Sequence, residues 1–266
     1  LLGSGYVQYK PLEWLTFKSS YNANYTNSKR GIASGLLTNV GSKFGPSSSI
    51  QNQDNYNYTW DNQFNITKKI GEDHSFNFLG LQSIYASTTN TSELSSQGQP
   101  SELSYYNIGS GTTNIALASG FVKRTISSYA ARLNYIYKDK YLLTATNRWD
   151  GSSVLSEGNK WESFPSIALG WKISEEDFLT DSETISNLKA RLSFGYTGND
   201  QVDPYSTLNS LNRPTYYDFN GVVANGAIAK TLADSELTWE KTRELNVGLD
   251  FGFLKNRITG SIDVYD

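Results

Sequence analysis

Residues 245–253 read LNVGLDFGF, and this stretch decides the fold because every second residue is hydrophobic. Leucine, valine and phenylalanine occupy the odd positions, whereas asparagine, glycine and aspartate occupy the even ones. A β-strand points successive side chains to opposite faces, while a helix would mix these two sets. The stretch therefore predicts a strand with one apolar and one polar face. After the turn residues 254–256, the segment ITGSIDVY (258–265) repeats the pattern and predicts a second strand.

The same alternation recurs along the rest of the chain. It is clear in 14–25, 56–67, 129–137 and 188–197, and weaker near 3–9, 75–85, 140–149 and 164–173. Each stretch is about ten residues long, which is the length of a tilted strand that crosses a bilayer. The sequence thus predicts an all-β chain of about ten antiparallel strands.

Composition excludes several classes of protein. The net charge is −3 and no basic stripe is present, so nucleic-acid binding has no electrostatic support. Cysteine is absent, which excludes disulfides and zinc–thiolate sites. No apolar run approaches the roughly 18 residues of a transmembrane helix, and the mean hydropathy is −0.48. That value is compatible with a membrane β-barrel, because alternating strands average out as polar.

The predicted links between strands alternate in length. Short links are predicted at Lys10–Pro11, 68–74, 138–140 and 254–256, a moderate one at 174–186, and long ones at 26–55, 86–120, 150–163 and 198–236. Short turns at one end and long loops at the other are typical of outer-membrane barrels, in which the short turns face the periplasm and the long loops are extracellular. Tyr135, Tyr137 and Tyr141 flank one short turn and fit an inner aromatic girdle.

In such a barrel the apolar side chains face lipid and the polar ones face inward. The residues predicted to face outward are Phe17, Tyr21, Tyr58, Trp60, Phe64, Leu133, Leu143, Leu192, Phe194, Val247, Leu249 and Ile262. Those predicted to face inward are Thr16, Lys18, Asp61, Asn134, Arg191, Asn246, Asp250 and Asp263.

Three segments carry a family resemblance. They are YAARLNYIYKDKYLLTATNRWDGSS (129–153), WESFPSIALGWKISEEDF (161–178) with NLKARLSFGYTGND (187–200), and LTWEKTRELNVGLDFGFLKNRITGSIDVY (237–265). Together they resemble the barrel blocks of SusC/RagA-type TonB-dependent outer-membrane transporters, and the resemblance covers about half of the chain tightly.

The resemblance implies a 22-stranded barrel in the cell outer membrane, closed by an N-terminal plug. It implies import of oligosaccharides or peptides with energy delivered by the TonB complex, and a SusD/RagB-type surface lipoprotein as a lid. Residues 1–266 are then part of one barrel domain, with the plug and the remaining strands absent from this chain. The strand-like pattern of residues 261–266 also indicates a fragment.

Candidate site residues fall into two sets, and neither implies catalysis, a metal or a cofactor. Aromatic residues in the predicted long loops are candidates for ligand binding or lid contact: Tyr105, Tyr106, Trp161, Tyr216, Tyr217 and Phe219. Basic residues predicted to face the lumen or plug are Arg132, Arg148, Lys189 and Arg191. They either pack against a plug or line a substrate path.

The remaining polar residues fit structural roles. His74, the only histidine, is predicted as a solvated turn residue. Ser174 with Glu175, Glu176 and Asp177 resembles a helix N-terminal cap rather than a pair of catalytic carboxylates. Asp150 begins a segment typical of a turn.

Two other classes of protein stay open from the residues alone. One is a complete small outer-membrane barrel enzyme of protease type, and the other is a soluble β-sandwich binding module. A sandwich would pack its apolar faces against each other, whereas a barrel would expose them to lipid. The sequence does not distinguish a glycan cargo from a peptide cargo.

Overall fold

The computed structural model describes residues 1–100 and 103–266, and most of these residues lie in β-strands. The strands are β1 (Leu2–Leu12), β2 (Leu15–Ser34), β3 (Ser47–Ile70), β4 (His74–Gln97), β5 (Thr113–Tyr137), β6 (Tyr141–Ser152), β7 (Trp161–Lys172), β8 (Ile185–Asn199), β9 (Ser210–Phe219), β10 (Val222–Thr231), β11 (Glu240–Phe253) and β12 (Ile258–Tyr265). The helical elements that can be bounded within the described residues are one short helix, α1 (Gly41–Phe44), and the 3-10 turns Ile108–Ser110 and Ile173–Glu175.

In the described residues, ten strands form one sheet in the order β1-β2-β3-β4-β5-β6-β7-β8-β11-β12. The strand pairs from β5 to β12 in this sheet are antiparallel. Strands β9 and β10, which lie between β8 and β11 in the sequence, pair only with each other and form a separate antiparallel hairpin in the described part of the chain. The all-β antiparallel prediction of about ten strands is confirmed.

The chain groups into two compact units. The first contains Leu1–Gly5, Tyr21–Thr59 and Tyr85–Arg124, and the second contains Tyr6–Ser20, Trp60–Ile84 and Thr125–Asp266. The links 35–46 and 98–112 belong to the first unit, and the short links belong to the second.

The strand register in the second unit separates an apolar face from a polar face. Leu143 lies opposite Leu169 and Leu169 opposite Leu192, while Leu192 and Val247 are also partners. One residue along, Arg191 lies opposite Gly248, and Gly248 opposite Asp263. Neighbouring strands therefore place like residues on the same side, as the period-two pattern predicts.

The boundaries predicted for the long loops are wrong, although the alternation of short and long links is confirmed. Strands β2 to β5 are 20 to 25 residues long, so most of 26–55 and 86–120 is strand, and the connecting segments are only 35–46 and 98–112. Residues 101 and 102 of the second predicted loop lie outside the described residues. The predicted loop 198–236 contains β9 and β10, and 150–163 contains a link of only 153–160. The extensions 26–34, 47–55 and 86–97 are rich in Asn, Ser and Thr, so neither of their faces is apolar and the alternation signal disappears.

Two smaller predictions also need correction. Lys10 and Pro11 lie inside β1, and the chain turns at residues 13–14 instead. Ser174 caps no α-helix, because it lies within the 3-10 turn Ile173–Glu175.

The short link 138–140 is tight since Lys138 and Asp139 both adopt left-handed backbone, with φ of 52° and 54°. Positive φ at both central residues matches the twist of the flanking strands.

Among the described residues, one cluster of buried hydrophobic side chains joins the link 153–160, the start of β7 and the segment before β11. Val154, Leu155, Phe164 and Trp239 are buried together, with the rings of Phe164 and Trp239 in edge contact at 5.3 Å. By contrast, Leu169, Leu192 and Val247 on the apolar face keep 48%, 43% and 52% of their surface exposed. A β-sandwich would bury this face, so the structure contradicts the sandwich alternative. No helix in the described ranges has the length and hydrophobicity needed to cross a membrane.

Candidate functional site

On the polar face, one arginine is held by two carboxylates. Arg191 on β8 donates from Nε and Nη2 to Asp250 on β11, both at 2.9 Å. It also contacts Asp263 on β12 through Nη1 at 3.0 Å and Nη2 at 3.2 Å. Bidentate arginine–carboxylate pairs are strong because both hydrogen bonds are charge-assisted. This ionic triad links three neighbouring strands on one face of the sheet.

The triad depends on a glycine in the strand between its members. Gly248 lies opposite Arg191 on one side and Asp263 on the other. A Cβ at position 248 would stand 2.7 Å from Arg191 Cζ and 2.6 Å from Asp263 Oδ1. The guanidinium group therefore occupies the space above this glycine, and any larger residue there would displace it. The sequence pattern alone did not reveal the triad, because its members are separated by 59 and 72 residues.

The other basic residues of the predicted lumen-facing set have different partners. Arg148 binds both oxygens of the buried Asp150 at 2.8 Å and donates to Ser128 at 2.9 Å. Arg132 donates to Thr146 Oγ1 at 3.3 Å. Lys189 lies opposite Asp250 in the register, and opposite Lys172 on the other side. Asp150 is therefore the partner of an arginine at the end of β6 rather than an isolated turn residue.

A carboxylate in the moderate link that follows β7 anchors aromatic residues. Glu176 Oε1 accepts hydrogen bonds from Tyr141 Oη at 2.7 Å and from Trp171 Nε1 at 2.8 Å, while Lys140 Nζ lies 3.3 Å from Oε2. The Tyr141 hydrogen bond, followed by that of Trp171 and the contact with Lys140, holds the pKa of Glu176 below its usual value. Glu176 therefore has a structural role in this acidic segment. It binds the side chains of Tyr141, Trp171 and Lys140 and does not cap a helix.

The sequence analysis predicted His74 to be a solvated turn residue, and this prediction is wrong. It begins β4, is half-buried, and forms a 2.8 Å hydrogen bond between Nδ1 and Tyr135 Oη. Its ring stacks on Tyr135 and lies 5.0 Å from the ring centre of Tyr137. The histidine therefore belongs to the aromatic cluster at the short-link end of the sheet.

The structure divides the six candidate aromatic residues among separate places. Tyr105 and Tyr106 contact each other in the link 98–112, with ring centres 4.6 Å apart. Trp161, at the start of β7, stacks on Tyr129 at 6.0 Å. The remaining three lie on the β9–β10 hairpin. Of the six, Tyr105 and Tyr106 are the one pair in ring contact within the described part of the chain.

The hairpin register separates its aromatic residues further. Phe219 lies opposite Val222, and Tyr217 opposite Ala224, so these side chains share one face. A Cβ at Gly226 would overlap the Tyr217 ring, which shows that the ring lies over this glycine. Tyr216 lies opposite Asn225 on the other face and is 65% exposed. The three aromatic residues therefore cannot contact one flat surface together.

Among the described residues, no group of three or more His, Cys, Asp or Glu side chains is arranged to hold a metal ion. Several charged groups are instead paired across strands, and Lys241 on β11 with Glu162 on β7, at 2.8 Å, is a further pair that the sequence analysis missed. Such cross-strand pairing stabilises a sheet and requires no bound ion.

A sheet with one exposed apolar face and one face of paired charges, with short and long links alternating, defines the wall of a membrane β-barrel. The chain belongs to the TonB-dependent receptor family, since the family model for the TonB dependent receptor-like β-barrel matches residues 2–266. Proteins of this family lie in the outer membrane, and the predicted fold class and localisation are confirmed.

Individual relatives agree with this assignment. TonB-dependent receptor P26 of Formosa agariphila is 34% identical over 270 residues, covering 99% of this chain and 27% of the relative. TonB-dependent receptor SusC of Bacteroides thetaiotaomicron is 46% identical over 147 residues, covering 54% of this chain and 15% of SusC. The chain thus spans about a quarter or less of these two relatives' length.

Among solved structures, the RagAB peptide transporter superposes with a TM-score of 0.88 at 22% identity, covering 99% of this chain and 29% of the solved one. At this identity the likeness shows the fold. The predicted resemblance to SusC/RagA-type barrels is confirmed by the family match, SusC and this superposition together.

Proposed function

We propose that this chain is part of the barrel of a SusC/RagA-type importer that takes up oligosaccharides or peptides across the outer membrane. The observation that supports this proposal is a sheet with two different faces in a chain that belongs to the TonB-dependent receptor family. One face is apolar and suited to lipid, and the other is charged and suited to an aqueous lumen. In this proposal residues 1–266 form part of one barrel domain, and the plug and further strands belong to other parts of the transporter.

The polar face would contact the plug or the cargo. Arg191 already has two carboxylate partners, and Arg148 has Asp150 and Ser128. Side chains that are paired within the wall are better suited to supporting the lumen than to binding successive cargo molecules. We therefore assign Arg148 and Arg191 to lumen structure and plug packing rather than to substrate recognition. Arg132 and Lys189 are proposed to face the same lumen, where they either pack against the plug or line a substrate path.

The β9–β10 hairpin is the proposed contact with a SusD-like lipoprotein lid. The hairpin follows β8 and precedes β11 in the sequence, and its two strands form their own sheet. Its side chains Tyr216, Phe219 and Val223 are exposed. An isolated two-stranded hairpin is marginally stable in water, so apolar contacts with a partner would stabilise it. Partner surfaces commonly use exposed aromatic residues as anchors. Tyr105, Tyr106 and Trp161 are further candidates for cargo or lid contact.

The experiment removes residues 212–222 from the full-length transporter. Three quantities are measured: abundance in the outer membrane, co-purification with the lipoprotein, and growth on a peptide or an oligosaccharide as the sole nutrient. Normal abundance with reduced co-purification or growth is expected. Wild-type values for all three would remove the hairpin from the proposal, and collapse of abundance would show that the hairpin is structural.

The choice of nutrient in the same experiment separates the two cargo classes. Loss of growth on peptides alone would assign a peptide cargo, and loss on glycans alone an oligosaccharide cargo. TonB dependence is tested with the unmodified transporter, since uptake that persists without a proton-motive force would contradict energy coupling through TonB.

A further inference from the structure

A chain of polar side chains crosses the apolar face of strands β2, β3 and β4. Trp60 Nε1 donates to Ser19 Oγ at 3.0 Å, Ser19 Oγ donates to Asn62 Oδ1 at 2.7 Å, and Asn62 Nδ2 donates to Gln82 Oε1 at 2.8 Å. These four residues, called the polar ladder below, all belong to the second unit. The sequence pattern had indicated an apolar face here, so an amide chain on it is unexpected.

The polar ladder borders an aromatic groove of about 550 Å³. Phe17 and Phe64 have ring centres 6.3 Å apart, and Phe64 and Phe78 are 5.7 Å apart. The groove is further lined by Tyr129, Ala131, Trp149 and Gly80. A Cβ at residue 80 would overlap the Phe64 ring, so the glycine leaves the space that this ring occupies. The groove is therefore shaped and lined to hold a hydrocarbon chain.

Hydrogen bonding within the ladder leaves one group without a protein partner. Facing hydrocarbon, a polar group without a hydrogen bond is unfavourable by several kcal/mol. Ser19, Asn62 and the indole of Trp60 satisfy one another along the ladder. The amide nitrogen Nε2 of Gln82 has no acceptor among the residues that the structure describes, while its Oε1 is occupied by Asn62. The ladder thus ends in a free N–H donor beside the groove.

The position of Gln82 along its strand identifies the leaflet that it meets. Gln82 lies eight residues beyond His74, where β4 begins at the short link, and Asn62 lies eight residues before the end of β3. Eight residues rise about 26 Å along a strand, or about 20 Å along the membrane normal at a tilt of about 40°. The apolar band of such barrels is about 25 Å tall. If the short links face the periplasm, as the proposed function has it, the donor lies in the outer leaflet, near its polar boundary.

We propose that this groove binds an acyl chain of an outer-leaflet glycolipid of the lipid A type, whose ester or amide carbonyl accepts a hydrogen bond from Gln82 Nε2. The acyl chains of lipid A begin at carbonyl groups just below the sugar, at the depth where the free donor stands. The carbonyl is an acceptor with no donor of its own, so it complements Gln82 without displacing Asn62. The hydrocarbon that follows the carbonyl fills the groove along Phe64 and Phe78.

The test uses the full-length transporter in nanodiscs and counts bound lipid by native mass spectrometry. The probes are purified lipid A and, separately, phosphatidylethanolamine. Gln82→Leu removes the donor at nearly constant size, and Ala131→Phe fills the groove without altering the ladder. Ser83→Ala is the matched control, because Ser83 neighbours Gln82 in the chain but donates to Asp61 on the opposite face.

Bound lipid A should fall roughly threefold to tenfold in Gln82→Leu, the range expected for one lost hydrogen bond, and also in Ala131→Phe. It should stay at the wild-type level in Ser83→Ala, and bound phosphatidylethanolamine should not change in any variant. Wild-type retention of lipid A in either groove variant would overturn the proposal. A parallel loss of phosphatidylethanolamine would also overturn it, since the groove would then select no glycolipid.

Discussion

Replacing Leu249 by arginine places a charge on the face that the structure assigns to lipid. Leu249 lies between Ala190 of β8 and Ile262 of β12, with its side chain on the apolar face. It stands four residues before the end of β11 at Phe253. Four residues rise about 13 Å along the strand and about 10 Å along the membrane normal at a tilt of about 40°. The site is thus close to the middle of an apolar band about 25 Å tall.

Arginine at that depth should lower the free energy of unfolding of the full-length transporter by about 2–4 kcal/mol. The measurement is a urea titration of the protein in lipid vesicles, read by the loss of the heat-resistant folded band. Two controls carry the same charge elsewhere. Leu245→Arg is eight residues from Phe253, so it should cost only about 0–1 kcal/mol near the interface. Asn246→Arg points to the polar face and should behave similarly.

The reasoning is refuted if Leu249→Arg is as stable as the wild type. Equal destabilisation by Asn246→Arg would refute it as well, because the two faces would then meet the same medium. A shift of the register by one residue would turn position 249 to the polar face, and Leu249→Arg would then be nearly neutral.

Three further predictions concern the charged and exposed groups. Arg191→Ala should lower the free energy of unfolding by about 1–2 kcal/mol, since it leaves Asp250 without its bidentate donor; a double-mutant cycle that shows no coupling between the two residues would contradict this. The pKa of Glu176 is lowered on folding, so its contribution to stability should be complete above about pH 4.5 and should be lost as the pH falls through the lowered pKa. Between about pH 3 and about pH 6, the unfolding midpoint should therefore fall more steeply with decreasing pH for the wild type than for Glu176→Gln, and equal slopes would contradict this. Tyr217→Ala and Tyr216→Ala change opposite faces of the hairpin, so pull-down with the lipoprotein should weaken for one of them much more than for the other, and equal loss would argue against a one-sided contact.

Sequence reasoning failed most clearly where both faces of a strand are polar. Residues 26–34 and 47–55 are strand in the structure, although they carry no apolar row. Their backbone hydrogen bonds come from neighbouring strands, and this pairing overrides a local composition typical of loops. The same error concealed the hairpin: once 210–219 is a strand, Tyr216 and Tyr217 must point to opposite faces.

The sequence by itself determined the class of fold, the order of the main strands and the division into two faces. These properties depend on alternation within single strands, which is local and directly visible in segments such as 245–253. It also determined which ends of the strands are joined by short turns, because turn residues and strand spacing are local as well.

Only the tertiary structure decided which side chains meet across the sheet. Arg191 forms hydrogen bonds with Asp250 and Asp263, which are 59 and 72 residues away in the sequence, and Ser19 with Asn62, which is 43 residues away. Such pairs depend on the register between strands, and a slip of one residue would leave every local pattern intact while exchanging all partners. The ionic triad and the polar ladder are therefore properties of the assembled sheet, because no single strand carries more than part of either.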